Sequence, residues 1–286
     1  MGAHHVHYDS LYDAVRQGRD APQQWSDKDY NLASRAGERS GTAGNGTPNW
    51  EQAERLALYG WEEGVKKLVD LREELMEEIG RALPEPRVMM DVSGFDVDVG
   101  AYLSGVPENM LTHWEMEGSK RVVHIVYNMA VNYTITPEAM MLRGLLVAGL
   151  VDTMEHLGHR VRLDVVALIN GSTYSEGENV LTLTYNLKRE NEVLDVERMV
   201  FACAHPSMFR RIGFANMEML PRDKAKAFGV PRGGYGYACS DRSVLPEGER
   251  GDIFIGTTER PGSLADVMQQ VLDHLRTSDI LEEERT

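Results

Sequence analysis

The sequence predicts an α/β fold, an open and mostly parallel sheet flanked by helices, preceded by a helical region with short strands. Short β-branched apolar runs recur at 121–127 and 161–169. A long helical stretch separates them, and the connections on either side are short. A strand–helix–strand unit with such links is a right-handed crossover, which favours parallel pairing.

Residues 1–48 read as a flexible arm. Aliphatic side chains are scarce from 20 onward, and the run Gly41-Thr42-Ala43-Gly44-Asn45-Gly46-Thr47-Pro48 has too little to bury to offset its ordering entropy. Trp25 and Tyr30 are its candidate anchors, while His4, His5 and His7 read as a terminal polar tract without a role.

Residues 49–118 read as an amphipathic helix plus short strands packing on the core. Ala53, Ala57, Trp61, Gly64, Leu68, Leu71, Leu75 and Ile79 keep three-and-four spacing on one face. Thr47 or Asn49 caps this helix, and Pro84 and Pro86 stop it after about eight turns. The period then falls to two. Phe95, Val97 and Val99 alternate with Asp96 and Asp98, which describes a half-buried strand with its acids toward water. Asp96-x-Asp98-x-Gly100 lacks the third ligand and the closing glutamate of a calcium loop.

Residues 119–280 hold the sheet. Thr136 as cap, Pro137 in the first turn and Glu138 open a helix after the first strand. Met140, Met141, Leu142, Leu145, Leu146, Val147, Leu150, Val151, Met154 and Leu157 leave it few polar positions, so it is expected to be largely buried, and Gly158 ends it. A third strand at 180–187 alternates Thr182, Thr184 and Asn186 with apolar neighbours, which places it at an edge. Asp195 caps the next helix, and Pro206 opens another carrying Met208, Phe209, Ile212 and Met219. A Gly/Tyr-rich loop at 232–237 precedes a fourth strand at 252–256 and a last amphipathic helix at 263–275. Residues 281–286 form an acidic tail.

Composition bounds the function classes. Thirty Lys and Arg against forty-five Asp and Glu give a formal charge of −15, which repels phosphate backbones and argues against nucleic acid as a partner. No run approaches the ~18 apolar residues of a membrane helix. Cys203 and Cys239 are too few for a disulfide framework and lack zinc-site spacing.

The chemical candidates are incomplete. His156 and His159 lack a third ligand, and Cys203 beside His205 lies in an apolar helix where a thiol behaves as a small core residue. Gly233-Gly234-Tyr235-Gly236 has no phosphate-loop lysine and reads as a loop presenting Tyr235 and Tyr237 to a partner. Asp91-Val92-Ser93-Gly94 reads as a strand with a glycine bulge. Arg210 and Arg211 form one basic spot, read as a structural pair for Glu218 or the acidic tail.

A strand leading into Asn128-Met129-Ala130-Val131-Asn132, then a helix, then Gly158-His159-Arg160-Val161 and a second strand, resembles the opening of a von Willebrand factor A domain, a Rossmann-like fold. In that family the first strand ends in Asp-x-Ser-x-Ser, which helps to hold Mg²⁺, and a later Asp completes the site. This chain has Asn128, Ala130 and Asn132 at the three matching positions, and Thr257, Thr258 and Glu259 near the later one. Mg²⁺ takes hard oxygen ligands, commonly with a carboxylate. The departure implies no metal, no cofactor and no catalytic residue, and a scaffold used to bind another protein through these two loops.

The whole chain also resembles a family of uncharacterised tailed-phage proteins. The resemblance is carried by Tyr8-Asp9-Ser10-Leu11, by Trp50-x-x-Ala53 leading to Gly60-Trp61-x-x-Gly64, and by Gly94-x-Asp96-Val97-Asp98-Val99 with Gly105-x-Pro107-Glu108. His205-Pro206-x-Met208-x-Arg210-Arg211 completes it. It implies a host-cytoplasm setting and imports no known activity; the scaffold is read as an adaptor whose partner is another protein, a ring ATPase or a phage structural protein. Two alternatives stand beside the adaptor reading. One is a metal-dependent hydrolase using Asp91, Asp96 or Asp98 with His156 or His159. The other is a virion component.

Overall fold

The computed structural model of the protein describes residues 2–25, 32–35, 44–70, 88–93, 96–113, 122–156, 159–171, 179–230 and 234–257. The chain starts with β1 (Gly2–Tyr8), α1 (Leu11–Arg19) and α2 (Ala21–Gln24). Next come α3 (Trp50–Tyr59) and a helical stretch α4 (62–70). A small unit follows, made of β2 (Val88–Asp91), β3 (Asp96–Val97), α5 (Val99–Leu103) and β4 (Met110–His113). Then come β5 (Val122–Asn128), α6 (Pro137–His156), β6 (Arg160–Asn170), β7 (Asn179–Lys188) and α7 (Val196–Ala204). A π-helical segment (Met208–Gly213), α8 (Phe214–Glu218), α9 (Arg222–Ala227), β8 (Tyr237–Ala238) and β9 (Ile253–Ile255) complete the described chain.

The main sheet has the order β1-β7-β6-β5-β9, with β8 added to the end of β6, while β2, β4 and β3 form a separate antiparallel sheet. Pairing is parallel for β5 with β6, β5 with β9, and β1 with β7, and antiparallel for β6 with both β7 and β8. The fold is therefore mixed α/β with a mostly parallel sheet, compatible with a Rossmann-like arrangement. Period-two alternation sends Ile125, Tyr127, Leu163, Val165, Leu181 and Leu183 to one face, where they join the helices in the main core. A smaller cluster, including Val126, Val166, Leu168, Leu245 and Phe254, lies on the other.

Local chemistry sets the central helix as expected. The Thr136 hydroxyl accepts the Ala139 N–H at 3.3 Å, Pro137 opens the first turn, and Leu146, Leu150 and Met154 are fully buried. α6 meets α7 at Gly144, where a Cβ would land on the main chain of Cys203 and Ala204.

Four expectations change. The arm assigned to 1–48 is instead docked over its described parts, beginning with β1, which pairs with β7 from Gly2↔Asn179 to Tyr8↔Tyr185. The Tyr8 ring stacks on Tyr185 at 5.2 Å, Trp25 donates its indole N–H to the Glu218 carbonyl, and Asn216 donates to the Ala14 carbonyl.

Because β1 covers it, β7 is not an edge strand. Thr182 and Thr184 are buried, and Thr184 donates to the Glu249 carboxylate at 3.2 Å.

The long helix from Trp50 is interrupted. Gly60 takes φ 93°, and the Trp61 N–H bonds the Glu197 carbonyl, so the chain turns to dock on α7 before helix resumes at 62. Its predicted continuation to Ile79 lies outside the described residues.

Strand alternation stops at Val97. The Asp98 carboxylate accepts the Ala101 N–H at 2.9 Å and caps α5, which leaves Val97 and Val99 exposed. The helix placed at 263–275 and the acidic tail lie outside the described residues.

Candidate functional site at the sheet switch point

The chain adds β6 and then β7 on one side of β5, and later places β9 on the other side of β5. A reversal of this kind makes a switch point, and open α/β sheets bind their ligands outside the carboxyl ends of the strands there. In this protein those ends are Asn128 and Ile255.

Three of the loop residues singled out in the sequence meet at this point with Thr257. Asn128 is completely buried and works as a plug. Its Oδ1 accepts the N–H groups of Ala130 (3.1 Å) and Leu168 (3.2 Å), and its Nδ2 donates to the Cys239 carbonyl at 2.7 Å. Thr257 donates its hydroxyl to the carbonyl of buried Ala130 at 2.5 Å, joining the β5 loop to the end of β9. The half-buried Asn132 accepts the Ala238 N–H at 3.2 Å and holds β8. Thr258 and Glu259 lie outside the described residues.

Beneath the rim stands Arg143, 1% exposed, a residue the sequence reading passed over. Its guanidinium donates to the carbonyls of Asn128 (3.1 Å) and Gly256, and lies over the Tyr127 ring at 4.8 Å. The strand ends are thus tied by one cation, whose charge also balances the carbonyl dipoles collected there. A lone arginine inside the apolar run 139–151 was the available signal.

These donors do not suit a divalent cation. Both acceptor sites of the Asn128 amide oxygen are occupied, Ala130 supplies no side-chain oxygen, and Thr257 spends its proton on a carbonyl while the Arg143 guanidinium sits below. What the rim offers outward is Tyr133, 92% exposed, with Thr134 and Thr136 exposed beside it and Tyr237 half-exposed on β8.

Asn128→Asp is expected to destabilise the fold by about 2–4 kcal/mol, because its second carboxylate oxygen would face the Cys239 carbonyl where an N–H now donates. Thermal melts with and without Mg²⁺ check this. A melting temperature in the variant that rises with Mg²⁺ would show that the carboxylate has created a cation site.

The other candidates fall elsewhere. Asp91 is half-buried and accepts its neighbour's N–H from Val92, Asp98 caps α5, and the side chains of Asp96 and His156 lie outside the described set. Half-buried His159 has its pKa lowered by burial, and its Nδ1 has no partner. Among the described residues no three His, Cys, Asp or Glu side chains come together to hold a metal. Cys203 is a core residue, its thiol pushed up to about 12 by burial. His205, pushed down to about 4 by burial, accepts the Ser207 N–H and packs its ring against Trp61 and Phe201.

Tyr235 is not presented to a partner. It is buried, and its hydroxyl donates to the Glu218 carboxylate at 2.6 Å. Glu218 also accepts from Ser34, and its pKa is raised by burial despite these bonds. Arg210 and Arg211, read as a structural pair for Glu218 or the acidic tail, are buried and grip main-chain carbonyls of the N-terminal segment and of Ile135.

Fold and rim together define an α/β protein whose sheet ends are closed from within. The chain belongs to the DUF7192 family, a domain of unknown function whose model matches residues 3–282. No curated protein and no solved structure matches it. Among the described residues no helix is long and apolar enough to cross a membrane.

Proposed function

We propose that the chain is a non-catalytic docking protein, a von Willebrand A-like scaffold of tailed-phage origin that works in the host cytoplasm as an adaptor. Its partner is another protein, a ring ATPase or a phage structural protein, engaged at the β5–β9 rim. One observation carries this reading: the rim's motif positions bond inward while Tyr133 stands 92% exposed above them. An exposed tyrosine on a rigid base supplies large contact area at low entropic cost, which is how protein interfaces anchor. The closed hydrogen bonding beneath it keeps the loop in one shape, so binding loses less to ordering.

The test is site-specific photocrosslinking from position 133 in infected cells, with exposed Glu247 as the control position. A discrete protein adduct from 133 that is absent from 247 is expected. The purified partner should then bind the wild type about tenfold or more tightly than Tyr133→Ala. Adducts equally abundant from both positions, or an affinity unchanged by Tyr133→Ala, would remove this rim as the docking site.

A further inference from the structure

On the opposite rim of the sheet lies a second concave surface. β7 runs antiparallel to β6, and β1 runs parallel to β7, so the carboxyl ends of β1 and β7 sit at the other end of the sheet from Asn128 and Ile255. There a groove of about 630 Å³ opens between the start of α1, the end of α3 and the loop from β7 to α7. Its volume falls in the range of ligand sites. Leu11, Ala57 and Met199 are its buried apolar lining, while Tyr12, Tyr59 and Val193 stand 59%, 76% and 95% exposed around it. Two tyrosines and a valine this open beside one groove make an anchor surface of the kind protein partners use.

Charge decides what fits. The groove's two cations are already held, Lys188 by Glu155 at 2.8 Å and Arg198 by Asp195 at 3.2 Å. The two helix N-termini at its border are capped, α1 by Ser10 and α7 by Asp195, so they do not call for an anion. The exposed Glu192 accepts the Arg189 main-chain N–H at 2.9 Å, and neither it nor Asp9, whose side chain is 80% exposed and meets His7 at 3.8 Å, forms an ion pair with a Lys or Arg side chain among the described residues. The rim is left acidic in a chain of net charge −15, which also opposes a second copy.

We propose that this groove binds a basic peptide segment of a partner protein, with an aliphatic or aromatic side chain seated among Tyr12, Tyr59 and Val193 and a Lys or Arg beside Asp9 and Glu192. The site is independent of the Tyr133 rim. With both occupied, the chain bridges two partners from opposite ends of one sheet.

The full-length protein is titrated with two short fluorescein-labelled peptides, one alternating Lys with Leu and the other Glu with Leu, and read by anisotropy at low and high salt. The lysine peptide alone is expected to saturate, with affinity falling as salt rises. Tyr59→Ala combined with Val193→Ser is expected to weaken it by about tenfold. Asp9→Asn with Glu192→Gln is expected to remove most of the salt dependence. All four side chains are exposed, so these variants keep the fold. Tyr133→Ala should leave peptide affinity unchanged, which separates failure at this groove from failure at the other rim. Absence of saturation, equal binding of both peptides, or affinity indifferent to the Tyr59 and Val193 changes overturns the proposal. So does a concentration-dependent dimer dissolved by Val193→Ser, which would make a second copy the occupant.

Discussion

Arg211→Met is expected to destabilise the protein by about 3–5 kcal/mol, because several buried acceptors lose a charged donor at once. Arg211 has no exposed surface. Its Nε donates to the Thr47 hydroxyl at 2.8 Å, Nη1 to the Ser34 carbonyl at 2.8 Å, and Nη2 to the Thr47 carbonyl at 2.6 Å. Methionine restores much of the volume and none of the donors, so buried acceptors lose their partners, each at a cost of about 1–3 kcal/mol. Arg211→Lys should recover less than half of the loss, because one ammonium cannot span three acceptors held by a planar fork. Urea unfolding reads the effect as a lower midpoint at constant slope. Limited proteolysis should show new cleavage near Ser34 and Thr47 well before global unfolding. A loss below about 1 kcal/mol would mean that the N-terminal segment is held mainly by its other contacts.

That segment marks the boundary of what local sequence reveals. β5, α6, β6 and α7 were legible because their signals lie within a few residues of the element they control: β-branched runs, Thr136 with Pro137, and Asp195 as a cap. β1 was not. Gly2–Tyr8 carries three histidines and one branched aliphatic residue, so nothing local calls for a strand, and its hydrogen bonds go to β7 far along the chain. The same missing partner misplaced β7, whose Thr182 and Thr184 read as solvent-facing but are buried, Thr184 against Glu249. Gly60 was visible, but the apolar stripe running through it outweighed a glycine whose function is set by Glu197 on another helix. At the rim, the positions of Asn128, Ala130, Asn132 and Thr257 were singled out by the resemblance to the opening of a von Willebrand factor A domain. Their inward bonding was not, because Leu168, Cys239 and Ala238 approach from elements distant in sequence.

Gly144→Ala sets helix propensity against packing. In an exposed helix alanine would gain about 1 kcal/mol over glycine. At this position the new methyl would fall on the Cys203 carbonyl oxygen and the Ala204 Cα, main-chain atoms that no side-chain rotation can move aside. Relief requires α6 and α7 to separate. α6 is buried on both sides of the contact, with Leu145, Leu146, Val147 and Ala148 in the core, and its neighbour Arg143 is bonded to the carbonyls of Asn128 and Gly256. Separation would therefore open the core and pull the cation away from both strand ends. Packing wins this contest, and the expected loss is about 3 kcal/mol or more, at the upper end for an inserted methyl group. The control is Gly248→Ala, where a Cβ meets no atom within 4 Å and the change should stay within about 0.5 kcal/mol. Denaturant midpoints for the two variants compare them directly. A Gly144→Ala protein as stable as the Gly248→Ala control would show that α6 shifts freely and that the Arg143 tie does not fix its position.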